Sequence, residues 1–224
     1  MRTLKDLGTH SGQSGGVSAF FRGRRMNFFR RLIRDLPRPL RILDLGGTES
    51  HWESMGAVDT EAFQITLLNL EENLKPARRE NFTARLGDAT DLSDIDQSEF
   101  DLVYSNSVIE HLFTGENQRR MAEQIASLDL PFWVQTPNFW FPMEPHFHVL
   151  GWQWLPREVR IKRLQKKRCG MRGPIPDRDG AAASIDEIRL LSARDMRDFF
   201  PDARIYRERI GPLTKSFVAH RGLV

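Results

Sequence analysis

The sequence predicts an α/β fold: a doubly wound, mostly parallel seven-stranded sheet that ends in a C-terminal antiparallel hairpin. Three observations predict it. Seven short apolar runs recur along the 224 residues, and polar stretches long enough for crossover helices separate the first five, the alternation that a parallel sheet requires. The first run, Leu40-Arg-Ile-Leu-Asp-Leu45, passes straight into Gly46-Gly47, where a helix should begin. The last two runs, residues 203–210 and 213–220, are joined only by Gly211-Pro212, a connection too short for a parallel crossover.

Taken in order, residues 1–16 are glycine- and serine-containing and weakly patterned, which predicts a tail that is mobile or ordered by a ligand. Phe20, Phe21, Phe28, Leu32 and Ile33 then recur among arginines. This is an amphipathic helix that ends near Pro37, lies on the sheet and turns its arginines to solvent or to an anionic substrate or membrane surface. Residues 1–37 thus form an N-terminal appendage to a domain spanning 38–224. Within that domain, strands are predicted over residues 40–45, 63–70, 82–86, 100–105 and 132–135. Ile42, Leu43 and Leu45 suit a strand buried on both faces.

Composition narrows the function. A hydrophobic content of 40% supports one sizeable core. The single Cys169 excludes an internal disulfide framework and fits a reducing compartment. Neither a secretion signal nor a run of ~20 apolar residues is present, so a soluble, cytoplasmic protein is expected. The net charge is only +3, yet basic residues concentrate in 22–34 and 157–172, and such local patches govern partners. No recognised RNA or DNA module interleaves them with exposed aromatics, which argues against a nucleic-acid partner. The positions after Gly46-Gly47 are Thr48, Glu49 and Ser50, so the G-x-G-x-x-G cradle for a pyrophosphate is missing and a nicotinamide-dependent oxidoreductase is disfavoured.

In a doubly wound sheet the ligand lies beyond the carboxyl ends of the strands, and here those ends are polar: Asp44-Leu-Gly-Gly, Asn69-Leu-Glu71-Glu72, Gly87-Asp88-Ala89-Thr90, Ser105-Asn106-Ser107 and Gln135-Thr136-Pro137-Asn138. The order resembles a class I methyltransferase dependent on S-adenosylmethionine (SAM), a Rossmann-like fold. Ile42-Leu-Asp-Leu-Gly-Gly47 matches its first motif, and Phe100-Asp-Leu-Val-Tyr-Ser-Asn-Ser-Val-Ile-Glu-His111 its fourth-strand motif. Residues 136–148 and 208–217 resemble a bacterial branch, similar to the broad type 11 group, of unassigned substrate. The resemblance implies that Gly46 and Gly47 approach the methionine part of SAM. It also implies that Asp88 accepts from the adenine amine, the Ala89 amide meets the ring, and Asn106 and Ser107 lie beneath the sulfonium. The acid Asp44 beside the loop suits a cofactor carrying cationic groups. Asn69 stands where the ribose-binding carboxylate is usual, and Glu71, on the same face of an extended chain, is placed to substitute for it.

His111 follows the fourth strand and is a candidate base. Residues 137–180 read as an insertion on the acceptor side. Phe139, Trp140, Phe141, Phe147, Trp152 and Trp154 form a lid or a satellite core, and His146 or Glu144 faces the acceptor. Glu144-x-His146-x-His148 alternates as an extended segment would, but no cysteine cluster or H-E-x-x-H accompanies it, so no metal is expected. The anticipated activity is methyl transfer to oxygen of a small-molecule or glycan- or lipid-linked acceptor, with His111 or His146 taking the proton. A non-catalytic SAM-fold module that binds a partner or membrane is the alternative.

Overall fold

The computed structural model describes residues 16–223, with side chains from Phe21 onward; the tail expected up to residue 15 and the Phe20 side chain lie outside the described residues. Helix α1 (Gly16–Leu32) opens the described chain. Phe21, Met26, Phe29 and, just past its end, Ile33 are its buried apolar residues, a stripe at helical spacing. Phe28 and Leu32 are only half-buried, so the buried face lies one residue further round than the expected set. Phe29 is its anchor, with ring centroids 5.3 Å from Tyr104, 5.2 Å from Trp133 and 6.3 Å from Trp52.

The strands are β1 (Leu40–Leu45), β2 (Phe63–Asn69), β3 (Phe82–Leu86), β4 (Leu102–Asn106), β5 (Phe132–Pro137), β6 (Arg204–Ile210) and β7 (Leu213–Arg221). They form one seven-stranded sheet in the order β3-β2-β1-β4-β5-β7-β6. β1 pairs in parallel with both β2 and β4, so the order reverses at β1, the place where such sheets bind ligands. β6 and β7 turn back on each other at Gly211, whose φ of 56° is left-handed and suits glycine.

The crossovers are leaner than expected. α2 (Glu49–Ser54) follows β1 and α3 (Gly115–Ser127) precedes β5. Between β2 and β3, and between β3 and β4, there are only single 3-10 turns, Glu71–Asn73 and Gln97–Glu99. The second gap is rich in aspartates that bond the backbone two residues on, Asp88 to Thr90 N, Asp91 to Ser93 N and Asp96 to Ser98 N, at 2.8, 3.2 and 2.9 Å. These local turns compete with helix formation.

The described chain divides into two compact units, one built from residues 16–106 with Arg120–Val134 and residues 220–223, the other from Ser107–Arg119 and Gln135–Ala219. In the first, Ile42, Leu43, Leu45, Trp52, Tyr104 and Trp133 form the interior. In the second, α4 (Arg157–Lys166) and α5 (Arg178–Asp186) enclose a cluster containing Phe147, Trp152, Ile161, Leu164 and Ile185. Cys169 is buried in that cluster. No helix among the described residues is long and apolar enough to cross a membrane.

Candidate functional site

Asp44 lies one residue before the end of β1 and is completely buried. Trp52 Nε1 donates to its Oδ2 at 2.7 Å, whereas Oδ1 has no partner. Burial pushes the carboxyl up to about 7, with the indole bond opposing. Gly46 turns the chain at φ 75°. Gly47 lies directly on the acid, where an added Cβ would stand 1.7 Å from Asp44 Oδ2. One glycine therefore turns and the other permits close approach, as the motif requires, but the approach is to the protein's own carboxylate.

Asn69 Nδ2 donates to the Gly47 carbonyl at 3.0 Å. A carboxylate has no proton to give, so the departure from an acid at this position fastens the glycine turn instead. Glu71 begins the 3-10 turn after β2 and is exposed; the extended continuation that would have put it on Asn69's face is not formed. Asp88 is exposed, and Thr90 N and Oγ1 both bond its Oδ1, at 2.8 and 2.9 Å; Ala89 follows, half-buried. Asn106 ends β4, and Arg25 Nη1 donates to its Oδ1 at 2.9 Å. Sequence reasoning missed Arg25, and also His51, whose Nε2 lies 3.1 Å from the Tyr104 hydroxyl. Burial, then the charges of Arg25 and Arg22, push that imidazole down to about 4, so it is neutral at physiological pH. Its place directly after the glycine turn was the available signal.

In the second unit, Ser107, at φ 57°, bonds Gln135 through N at 3.0 Å and Oγ at 2.9 Å, and the 3-10 turn Ile109–His111 follows. Glu110 is completely buried. Its Oε2 accepts from Thr136 Oγ1 at 2.9 Å, its Oε1 has no partner, and burial raises its pKa. The segment holding Glu144, His146 and His148 is not extended. It folds back with His148 N donating to Glu144 O at 2.9 Å and His148 at φ 48°, which sends His148 to solvent. Glu144 closes this turn from inside: Oε2 accepts from His146 N at 2.7 Å and Phe147 N at 2.5 Å, and Oε1 lies 2.7 Å from His146 Nδ1.

The two histidines expected to act are brought together, edge to face, with ring centroids 4.8 Å apart. Each has a carboxylate at Nδ1, since Glu187 Oε1 stands 3.3 Å from His111 Nδ1. Burial would raise the Glu187 carboxyl, but the bonds from His111 and Arg172 outweigh it and hold the group at about 2. Arg172 reaches both its oxygens, at 2.8 and 3.1 Å. Glu110, His111 and His146 each point a donor atom into one group spanning at most 4.8 Å. The sequence reading named His111 and His146 but passed over Glu110, whose adjacency to His111 was the only clue.

Beside Glu144 is a cavity of about 570 Å³, lined among others by Phe139, Trp140, Trp152, Arg160 and Arg189. Arg160 Nε is buried there without a partner. The aromatic segment divides: Phe147 and Trp152 stack at 4.5 Å inside the cluster, whereas Trp140 and Trp154 are 63% and 47% exposed. The first pair is satellite core and the second is surface.

Residues 43–128 match the family model described as a methyltransferase domain. Over this stretch the chain is similar to methyltransferase domains. No curated protein matches the chain. Among solved structures, the domain and its flanks are similar to magnesium protoporphyrin IX methyltransferase from Synechocystis PCC 6803, crystallised with S-adenosylhomocysteine (SAH), at 15% identity and a TM-score of 0.52 over 95% of this chain and 90% of that one. The N-methyltransferase NodS from Bradyrhizobium japonicum WM9 aligns at 9% identity and 0.51, covering 89% and 94%. The CurJ carbon methyltransferase aligns at 10% identity and 0.57, covering 93% of this chain but 56% of its own. The chain likewise spans only 64% of an O-methyltransferase-like protein from Nostoc punctiforme. The likenesses to the Synechocystis, NodS and CurJ structures show a shared fold.

Proposed function

We propose that the protein transfers a methyl group from SAM to oxygen of a small acceptor, with 38–224 as the catalytic domain and 137–180 as its acceptor-side insertion. The observation that carries the cofactor reading is the contact of Gly47 with a buried Asp44 that keeps one oxygen unpartnered. A buried carboxylate of this kind complements a ligand bearing ammonium and sulfonium charge and opposes a diphosphate. The residues present therefore fit SAM, which when bound supplies an electrophilic methyl group. Gly46 and Gly47 give the backbone room, Asp44 the negative charge, and Asp88 Oδ2 an acceptor for the adenine amine. Asn69 holds the turn in shape, Ala89 offers an amide, Asn106 a polar strand end, and Glu71 an exposed carboxylate for ribose.

The acceptor reading rests on the second unit. The cavity combines aromatic walls with the Arg160 guanidinium, whose Nε has no hydrogen-bond partner among the described residues, which suits an acceptor with an apolar or sugar ring and an anionic group. Exposed Trp140 and Trp154, 6.4 Å apart, suit a glycan- or lipid-linked acceptor approached at a membrane surface in the cytoplasm. His111 and His146, each with a carboxylate at Nδ1, present Nε2 to take the proton of a hydroxyl. Calorimetry tests the core of this reading. SAM and SAH should bind one per chain, and Asp88→Ala should weaken both at least about 10-fold through the lost adenine contact. No heat of binding at millimolar SAM would leave the non-catalytic module as the better reading.

A further inference from the structure

We propose that Glu110, His111 and His146 form a binding site for one divalent first-row transition ion, with Glu110 Oε1 and the two imidazole Nε2 atoms as ligands. The argument begins with what is left unsatisfied. Glu110 is completely buried, one oxygen is bonded by Thr136, and the other has no partner. A buried carboxylate oxygen with no donor is costly unless positive charge reaches it. The donor atoms of both histidines share its group.

The surroundings are built as a ligand shell is built. Histidines that bind metals through one ring nitrogen almost always pair the other with a carboxylate, which fixes the tautomer and raises the basicity of the ligating atom. His146 carries that arrangement, bonded to Glu144 at 2.7 Å, while Glu187 Oε1 stands 3.3 Å from His111 Nδ1, within ion-pair distance but without a hydrogen bond. Glu144 is itself fixed by two backbone N–H donors, and Glu187 by Arg172. Around an ion bonded at about 2.1 Å, ligand atoms stand at most about 4.2 Å apart, so the observed span of at most 4.8 Å closes with roughly half an ångström of side-chain adjustment. Two imidazoles and one carboxylate favour Mn2+ to Zn2+ over Mg2+ or Ca2+ and leave coordination positions open. An acceptor oxygen can occupy one of them. An Nε2 bound to an ion cannot also serve as a base, so ion binding also decides between those two roles.

The test uses the full chain stripped with EDTA and titrated with CoCl2. Visible d–d absorption should saturate at one Co2+ per chain, and proton NMR should show two exchangeable, paramagnetically shifted imidazole N–H signals from the Nδ1 atoms on Glu144 and Glu187. Zn2+ should displace the ion one for one. Glu110→Gln and His146→Ala should each weaken binding at least about 10-fold, while His148→Ala, on the exposed neighbour, leaves it unchanged. Undiminished binding in both cluster variants, loss of binding in His148→Ala, or bound Co2+ without shifted imidazole signals overturns the proposal. The NMR signals are read in the unsubstituted chain, so a variant that fails to fold does not blunt the test. Because neither SAM nor methyl transfer is measured, failure here leaves the cofactor reading intact, and the reverse also holds.

Discussion

Asp44 and Trp52, eight positions apart, are bound to each other by a 2.7 Å hydrogen bond in which both side chains are fully buried. Among the described residues the indole is the one donor to the carboxylate under the glycine turn, and its ring also packs 4.7 Å from Tyr104. Trp52→Phe keeps most of the packing and removes the donor. Leaving a buried acceptor unsatisfied costs about 1–3 kcal/mol, more where it is charged. Urea denaturation of Trp52→Phe should show a loss of at least that size, and Trp52→Phe combined with Asp44→Asn should recover part of it, because a neutral amide tolerates the missing donor better.

The same carboxyl makes stability depend on pH. Its folded value, raised by burial to about 7, exceeds the unfolded value near ~3.9, so between these limits the folded chain binds the extra proton. Stability from this group is fully present below the lower limit and falls as pH rises towards 7, by at most about 1.4 kcal/mol per pH unit. Asp44→Asn should flatten that slope in melts taken from pH 5 to 8. A cationic ligand favours the ionised form, so SAM affinity measured by calorimetry should rise with pH over the same window in the parent chain and stay level in Asp44→Asn.

The strands were legible because their signal is local: an apolar run such as Leu40 to Leu45 is buried by any parallel sheet, and β1 begins and ends where its residues indicate. The crossovers were not, since a 15-residue polar gap holds a helix or a chain of aspartate turns equally well until Asp88, Asp91 and Asp96 choose their backbone partners. The histidine cluster shows the same limit. His111 and His146 were visible as residue types at a strand end, but alternation misled about His148, because Glu144 folds the segment into a turn around its own carboxylate. Asn69 and Glu110 were readable only once their partners, Gly47 and Thr136, were in place.

Arg160 separates stability from binding. Burial pushes its guanidinium pKa down, with the charge of Asp186 opposing, and its Nε has no partner beside the cavity. Replacing a half-buried, poorly compensated charge by an apolar chain of similar length removes its desolvation cost and keeps its packing. Arg160→Met should therefore raise the melting temperature. If the cavity takes an anionic acceptor, the same change should raise KM for that acceptor at least about 10-fold with little change in kcat. A lower melting temperature would show that Arg160 serves the fold instead.

Beneath the cavity, the short helix α6 (Ala193–Phe199) depends on its first turn. Ser192 Oγ accepts from Asp195 N at 3.2 Å, and Asp195 Oδ2 accepts from Ser192 N at 2.8 Å. Asp195 Oδ1 accepts from Arg189 Nη2 at 3.0 Å, and both residues line the cavity. Ser192→Ala removes one half of this box and should cost about 1 kcal/mol. Asp195→Ala breaks the box and also strips Arg189 of its carboxylate, so it should cost more, and the two losses should not add in the double variant. The midpoint in urea should move while the slope stays constant. Burial would raise the Asp195 carboxyl, but the Ser192 and Arg189 bonds outweigh it and hold it low. Its stabilisation is therefore present above the ordinary carboxylate range and is lost as pH falls through the lowered value. Asp195→Asn should remove that acid-side loss, which melts below neutral pH would read directly.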